Sequence, residues 1–102
     1  MKRIVAYVPD LMDRSKVAAA APGARFVGSP AELAGQAADA DLVVVDATRP
    51  GVVEAIGAVS VPVIAFSKHT NREAMDAALA AGADQVLARS AFFSRLDDLL
   101  GG

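Results

Sequence analysis

Five short runs rich in valine and isoleucine punctuate the chain: IVAYV, RFV, LVVVD, VIAF and QVLA, over 4–8, 25–27, 42–46, 63–66 and 85–88. Each is short enough for a strand, and the central ones lack the apolar–polar alternation of a sheet with one wet face, so they predict strands covered on both sides. Between them lie alanine-rich stretches with helical spacing. Strict alternation of strand and helix is the pattern of a parallel sheet whose crossovers are helices. Right-handed crossovers favour the order 2-1-3-4-5 for five such strands. The expected fold class is therefore α/β, a doubly wound five-stranded parallel sheet, with residues 1–102 as one domain.

The helices carry start and stop signals. Ser29-Pro30-Ala31-Glu32 and Thr70-Asn71-Arg72-Glu73 both fit a capping box, in which a cap hydroxyl and a later glutamate satisfy each other's orphan amides. The first helix is expected over 11–21, stopped by Pro22-Gly23, and the fourth is expected to stop at Gly82. The third, over 52–59, is the weakest because it is short and carries Gly57. In the fifth and last helix, Phe92, Leu96, Leu99 and Leu100 recur on one face, with Arg95, Asp97 and Asp98 opposite. Phe92 and Phe93 are adjacent, so only one of them can point fully inward.

Composition narrows the function. The formal net charge is −2 with both signs interspersed, which leaves no basic footprint for nucleic acid and no polybasic segment for an anionic membrane. There is no cysteine, which excludes a disulfide framework, a thiolate nucleophile and Cys-ligated zinc, and which suits a reducing cytoplasm. The single histidine, His69, cannot build a histidine metal cluster or a triad. No apolar run approaches the roughly 20 residues that cross a bilayer.

In a doubly wound sheet, ligands gather beyond the carboxyl ends of the strands. Here those positions are Pro9 and Asp10, Asp46 to Arg49, Ser67 to Thr70, and Arg89 with Ser90. One rim thus collects two acids, hydroxyls and several cations. Asp46 closes a strand, LVVVD, where the chain leaves the core through the turn at Pro50-Gly51. An acid there either bonds the amides of its own turn or performs chemistry. Asp10 is equally suited to cap the first helix.

The chain resembles, over essentially its whole length, the receiver domain of two-component response regulators, whose fold is flavodoxin-like. DLVVVDATRPG resembles the strand and loop that carry the phosphoacceptor aspartate, with Asp46 in that role. PVIAFSKHTNREAMDAALAAGADQVLARSAF resembles the segment from the fourth to the fifth strand, which puts Ser67 at the family's hydroxyl position and Arg89 at its lysine. The resemblance implies a magnesium site at Asp10 and Asp46, although no cofactor is required for a module that is not phosphorylated. Departures are several. The family's acidic pair is Pro9 and Asp10 here, its lysine is Arg89, the proline after that lysine is Ser90, its switch aromatic is Val86, and the segment between strands 3 and 4 is short.

Phosphoryl transfer to a carboxylate needs magnesium, a cation and hydrogen-bond donors around the phosphoryl oxygens. Loss of one acid weakens the metal, and a guanidinium pairs readily with a carboxylate in bidentate fashion. A salt bridge from Arg89 to Asp46 is the expected result. The leading expectation is a non-enzymatic, stand-alone receiver-like module with an impaired or absent phosphorylation site, acting on a partner protein or on itself. The face it would use is helix 4, strand 5 and helix 5, which displays Arg72, Asp76, Arg95 and Asp97. One alternative is a single-domain response regulator phosphorylated at Asp46. Another is a small binder or enzyme that holds an anionic ligand where the strand order reverses, with Arg14, Arg49, Lys68 or Arg89. VPDLMD after the first strand is not the glycine-rich loop of a dinucleotide site.

Overall fold

The computed structural model describes residues 2–101. Five parallel strands, β1 (Ile4–Tyr7), β2 (Arg25–Phe26), β3 (Leu42–Asp46), β4 (Val63–Ser67) and β5 (Gln85–Ala88), form one sheet in the order β2-β1-β3-β4-β5. The expected class and strand order are both observed. Strand order reverses between β1 and β3, so the carboxyl ends of these two central strands open a crevice at one end of the sheet.

Side-chain alternation along the strands divides the core in two. Val43, Val45, Val63 and Ala65 point to the face covered by α2 (Leu33–Gln36), α3 (Val52–Ala58) and α4 (Arg72–Ala81), where Leu33, Val52, Ile56 and Ala78 meet them. Leu42, Val44, Ile64 and Phe66 point to the other face, covered by α1 (Leu11–Ala20), α5 (Arg89–Ser94) and α6 (Leu96–Leu100) through Val17, Phe92, Leu99 and Leu100. Phe66 and Phe92 stack at 4.7 Å between centroids, and Phe93 stands edge-on to both. Phe92 is fully buried and Phe93 partly exposed, as their adjacency requires.

Several local details differ from the sequence expectation. Ser29 precedes a 3-10 turn (Pro30–Glu32), and its hydroxyl bonds the Glu32 carboxylate rather than a backbone amide, so no capping box forms. Pro30 opens the 3-10 turn, and the side chains of the two would-be cap partners bond each other instead of the backbone. At α4 the cap is Asn71, one residue later than Thr70, and its side chain accepts from the Ala74 amide. The last helix is broken at Arg95 into α5 and α6, and Phe92, Leu99 and Leu100 are buried. Gly82 ends α4 with φ +117, a left-handed conformation that glycine adopts without steric cost. Among the described residues no helix is long and apolar enough to cross a membrane.

Candidate functional site

At the carboxyl end of the sheet, Asp10, Asp13, Asp46, Thr48, Arg49, Lys68 and Arg89 line one cavity of about 430 Å³. The fold explains how they meet. Asp46 continues the inward series Leu42 and Val44, and Arg89 follows Leu87, so both emerge on the face that α1 covers. Asp10 and Asp13 lie at the start of α1. The rim expected from the sequence is therefore assembled, with Asp10, Asp46 and Arg89 around one space.

Asp46 is buried at the end of β3. Its Oδ1 accepts from the Thr48 amide at 3.0 Å and from the Thr48 hydroxyl at 2.6 Å, while Oδ2 accepts from Arg49 Nε at 3.4 Å. Both oxygens are thus held by its own turn. Ser67, fully buried at the end of β4, donates its hydroxyl to the Lys68 carbonyl at 3.3 Å. It does not line the cavity that Asp46 and Arg89 share. Asp10 caps α1 and uses Oδ1 to accept from the amides of Met12 and Asp13, both at 3.0 Å.

Arg89 does not pair with Asp46. Its guanidinium binds Asp13 through two bonds, Nη1 to Oδ2 at 2.5 Å and Nη2 to Oδ1 at 2.7 Å. The preference has a physical reason. Asp46 already has donors in its own turn, whereas the Asp13 carboxylate is buried and receives hydrogen bonds from Arg89 alone among the described residues. Leaving that carboxylate unpaired would cost its full desolvation. The Arg89 hydrogen bonds hold the Asp13 carboxyl below the usual aspartate range against the opposing effect of burial, and Asp13 raises the guanidinium in turn. The Arg89 guanidinium carbon also lies over the Phe93 and Phe66 rings, 5.1 Å and 5.8 Å from their centres.

Asp13 is the site residue that the sequence reading missed. A signal existed: Asp13 lies four positions before Val17, and both are buried, so the helical repeat places it on the inward face of α1. The rim therefore holds three acids, Asp10, Asp13 and Asp46, facing three cations, Arg49, Lys68 and Arg89. Magnesium demands near-octahedral oxygen coordination and accepts one or two carboxylates with waters. Here Asp13 is engaged by Arg89, Asp46 by Thr48 and Arg49, and Asp10 by amides of α1. Among the described residues no group of three acidic or histidine side chains is arranged to hold a metal ion. Asp10 Oδ2 accepts no hydrogen bond among the described residues, so Asp10 and Asp46 are the carboxylates that would hold such an ion with waters.

No protein-family model matches the chain, and no curated protein matches it in sequence. Solved structures do match. A response regulator from Hahella chejuensis superposes with a TM-score of 0.83 at 20% identity, covering 99% of this chain and 93% of that one. The phosphorylated cyanobacterial phytochrome response regulator RcpA gives 0.75 at 16% identity, over 97% and 88% of the two chains. The Mn(2+)-bound form of response regulator Rcp1 gives 0.73 at 13% identity, over 97% and 91%. The chain is thus similar in fold to response-regulator receivers along nearly its full length.

Proposed function

We propose that the protein is a receiver-like regulatory module of signal transduction that acts by binding another protein or a second copy of itself, without needing an aspartyl phosphate. The fold supports the first half of this reading. The second half rests on one observation, the fixing of Arg89 on Asp13. A phosphoryl group on Asp46 would need a cation free to meet it and a metal between the carboxylates. In this protein the cation at the lysine position is committed elsewhere, and the guanidinium of Arg49 lies against the Asp46 carboxylate. Cations of the chain itself neutralise the acids and hold the rim in one arrangement. The chemistry left to such a module is recognition, with α4, β5 and α5 as the proposed face; Arg72, Asp76, Arg95 and Asp97 are exposed on and beside it.

A second reading, phosphorylation at Asp46 with magnesium, is favoured by the gathering of Asp10, Asp13, Asp46 and Lys68 in one cavity. Incubation with acetyl phosphate and magnesium, followed by intact-mass measurement, separates the two. The regulatory reading expects no labile phosphoryl adduct. An adduct that Asp46→Asn abolishes would establish the second.

A further inference from the structure

Arg89 and Lys68 belong to two cavities at once. On one side they face the acids of the rim described above. On the other they line a separate groove of about 410 Å³, beyond the ends of β4 and β5 rather than at the reversal of strand order. Lys16 of α1, His69 and Thr70 after β4, and Ser90 and Phe93 of α5 complete it. No carboxylate lines this groove, although the chain as a whole carries more acids than bases.

The cations here are arranged, not scattered. Lys16 Nζ lies 5.2 Å from the centre of the Phe93 ring, and the Arg89 guanidinium carbon lies 5.1 Å from the same centre. Neither Lys16 nor Lys68 has a carboxylate partner among the described residues. Phe93 is itself held by Phe66 and Phe92, so the floor of the groove is fixed by the core. Thr70 and Ser90 add exposed hydroxyl groups. Two ammonium groups without a carboxylate partner, one of them over the Phe93 ring, with two hydroxyls beside them, match an anion carried on a small aromatic body. The volume falls within the range of small-molecule sites.

We propose that this groove binds a small aromatic anion, an aryl phosphate or carboxylate, with its ring beside Phe93 and its charge between Lys16 and Lys68. The groove shares Ser90 and Phe93 with α5 of the proposed protein-binding face, and Lys68 and Arg89 with the Asp46 cavity, so an occupant would touch both. Because Arg89 is shared, occupancy also bears on the pair with Asp13.

The test is an amide NMR titration of the full chain with three probes: phenyl phosphate, inorganic phosphate and phenol. The proposal expects phenyl phosphate to move the resonances of His69, Thr70, Ser90 and Phe93, to bind at least about tenfold more tightly than inorganic phosphate, a difference of about 1.4 kcal/mol, and to weaken with salt. Phenol alone should leave the spectrum unmoved. Lys16→Gln and Ser90→Glu, both at exposed positions, should each weaken phenyl phosphate severalfold while leaving the fold intact. Equal binding of phenyl and inorganic phosphate would overturn the proposal, as would shifts centred on Asp46 and Thr48, or a silent spectrum at millimolar probe.

Discussion

Arg89 and Asp13, 76 positions apart, are joined by two hydrogen bonds that tie the start of α5 to the first turn of α1. The two sides of this pair are unequally exposed: the Asp13 side chain retains 4% of its accessible surface and that of Arg89 36%. Removing the arginine strands a buried carboxylate, whereas removing the carboxylate frees an arginine that water can reach. Arg89→Met should therefore destabilise the fold by about 2–3 kcal/mol, below the roughly 3–5 of a fully buried pair broken on one side. Asp13→Asn should cost less. Urea unfolding of both variants and of the double variant measures the order, and a neutral Arg89→Met would show that the pair holds nothing together.

The same pair sets an acid limit. The Asp13 carboxyl is held below its ordinary value by Arg89 in the folded state, so the unfolded chain binds more protons in the interval between the two values. Stability then rises with pH through that interval. The contribution is complete above the unfolded value of about 3.9 and is lost as pH falls through the lower folded value. The stability difference between wild type and Asp13→Asn should stay constant from neutral pH down to about pH 5 and shrink below about pH 4. Urea midpoints at a series of pH values test this, and a difference that grew in acid would contradict the assignment.

Asp46 serves its own turn whatever else it does. Asp46→Ala removes the acceptor for the Thr48 amide and hydroxyl and should cost about 1–2 kcal/mol. Asp46→Asn keeps one carbonyl oxygen for Thr48 and should cost less. Thermal unfolding of the two variants gives the comparison; equal stability of Asp46→Ala and wild type would mean that the turn does not depend on this acid.

The aromatic cluster should divide sharply between neighbours. Phe92 is fully buried and stacked on Phe66, so Phe92→Ala should lose about 3–5 kcal/mol. Phe93 keeps part of its ring in solvent, and Phe93→Ala should lose much less. Denaturant midpoints of the two variants read this directly, and similar losses would mean that Phe93 is as much a core residue as Phe92.

Much of this architecture was legible in the chain. The valine-rich runs located all five strands because strands buried on both faces must be apolar throughout, and the alternation with helices left few topologies open. Asp46, Ser67 and Arg89 were placed at strand ends by the same periodicity. What was not legible depended on competition between partners. Arg89 faces three acids in one cavity, and the amide donors at Asp10 and the local donors Thr48 and Arg49 at Asp46 leave Asp13 as the one it pairs with. Thr48 and Arg49 are close in sequence to Asp46, but their effect on Arg89 passes through the fold. Ser29-Pro30 and Thr70-Asn71 matched the capping box in composition, and the backbone around Pro30 and the competing Asn71 side chain displaced it. The break at Arg95 left no mark in the apolar pattern, because Phe92, Leu96, Leu99 and Leu100 would share one face of an unbroken helix as well.

The central claim is that cations of this chain occupy the place that metal and phosphoryl group would take. Amide NMR of the labelled protein, titrated with magnesium and then with beryllium fluoride as a phosphoryl mimic, tests it most directly, with Asp46→Ala as the control. The resonances of Asp10, Asp13 and Arg89 should stay where they are in both proteins, and that of Asp46 in the wild type. Shifts centred on these residues in wild type alone, spreading into α5 and α6, would contradict it and make the protein a working phosphoacceptor.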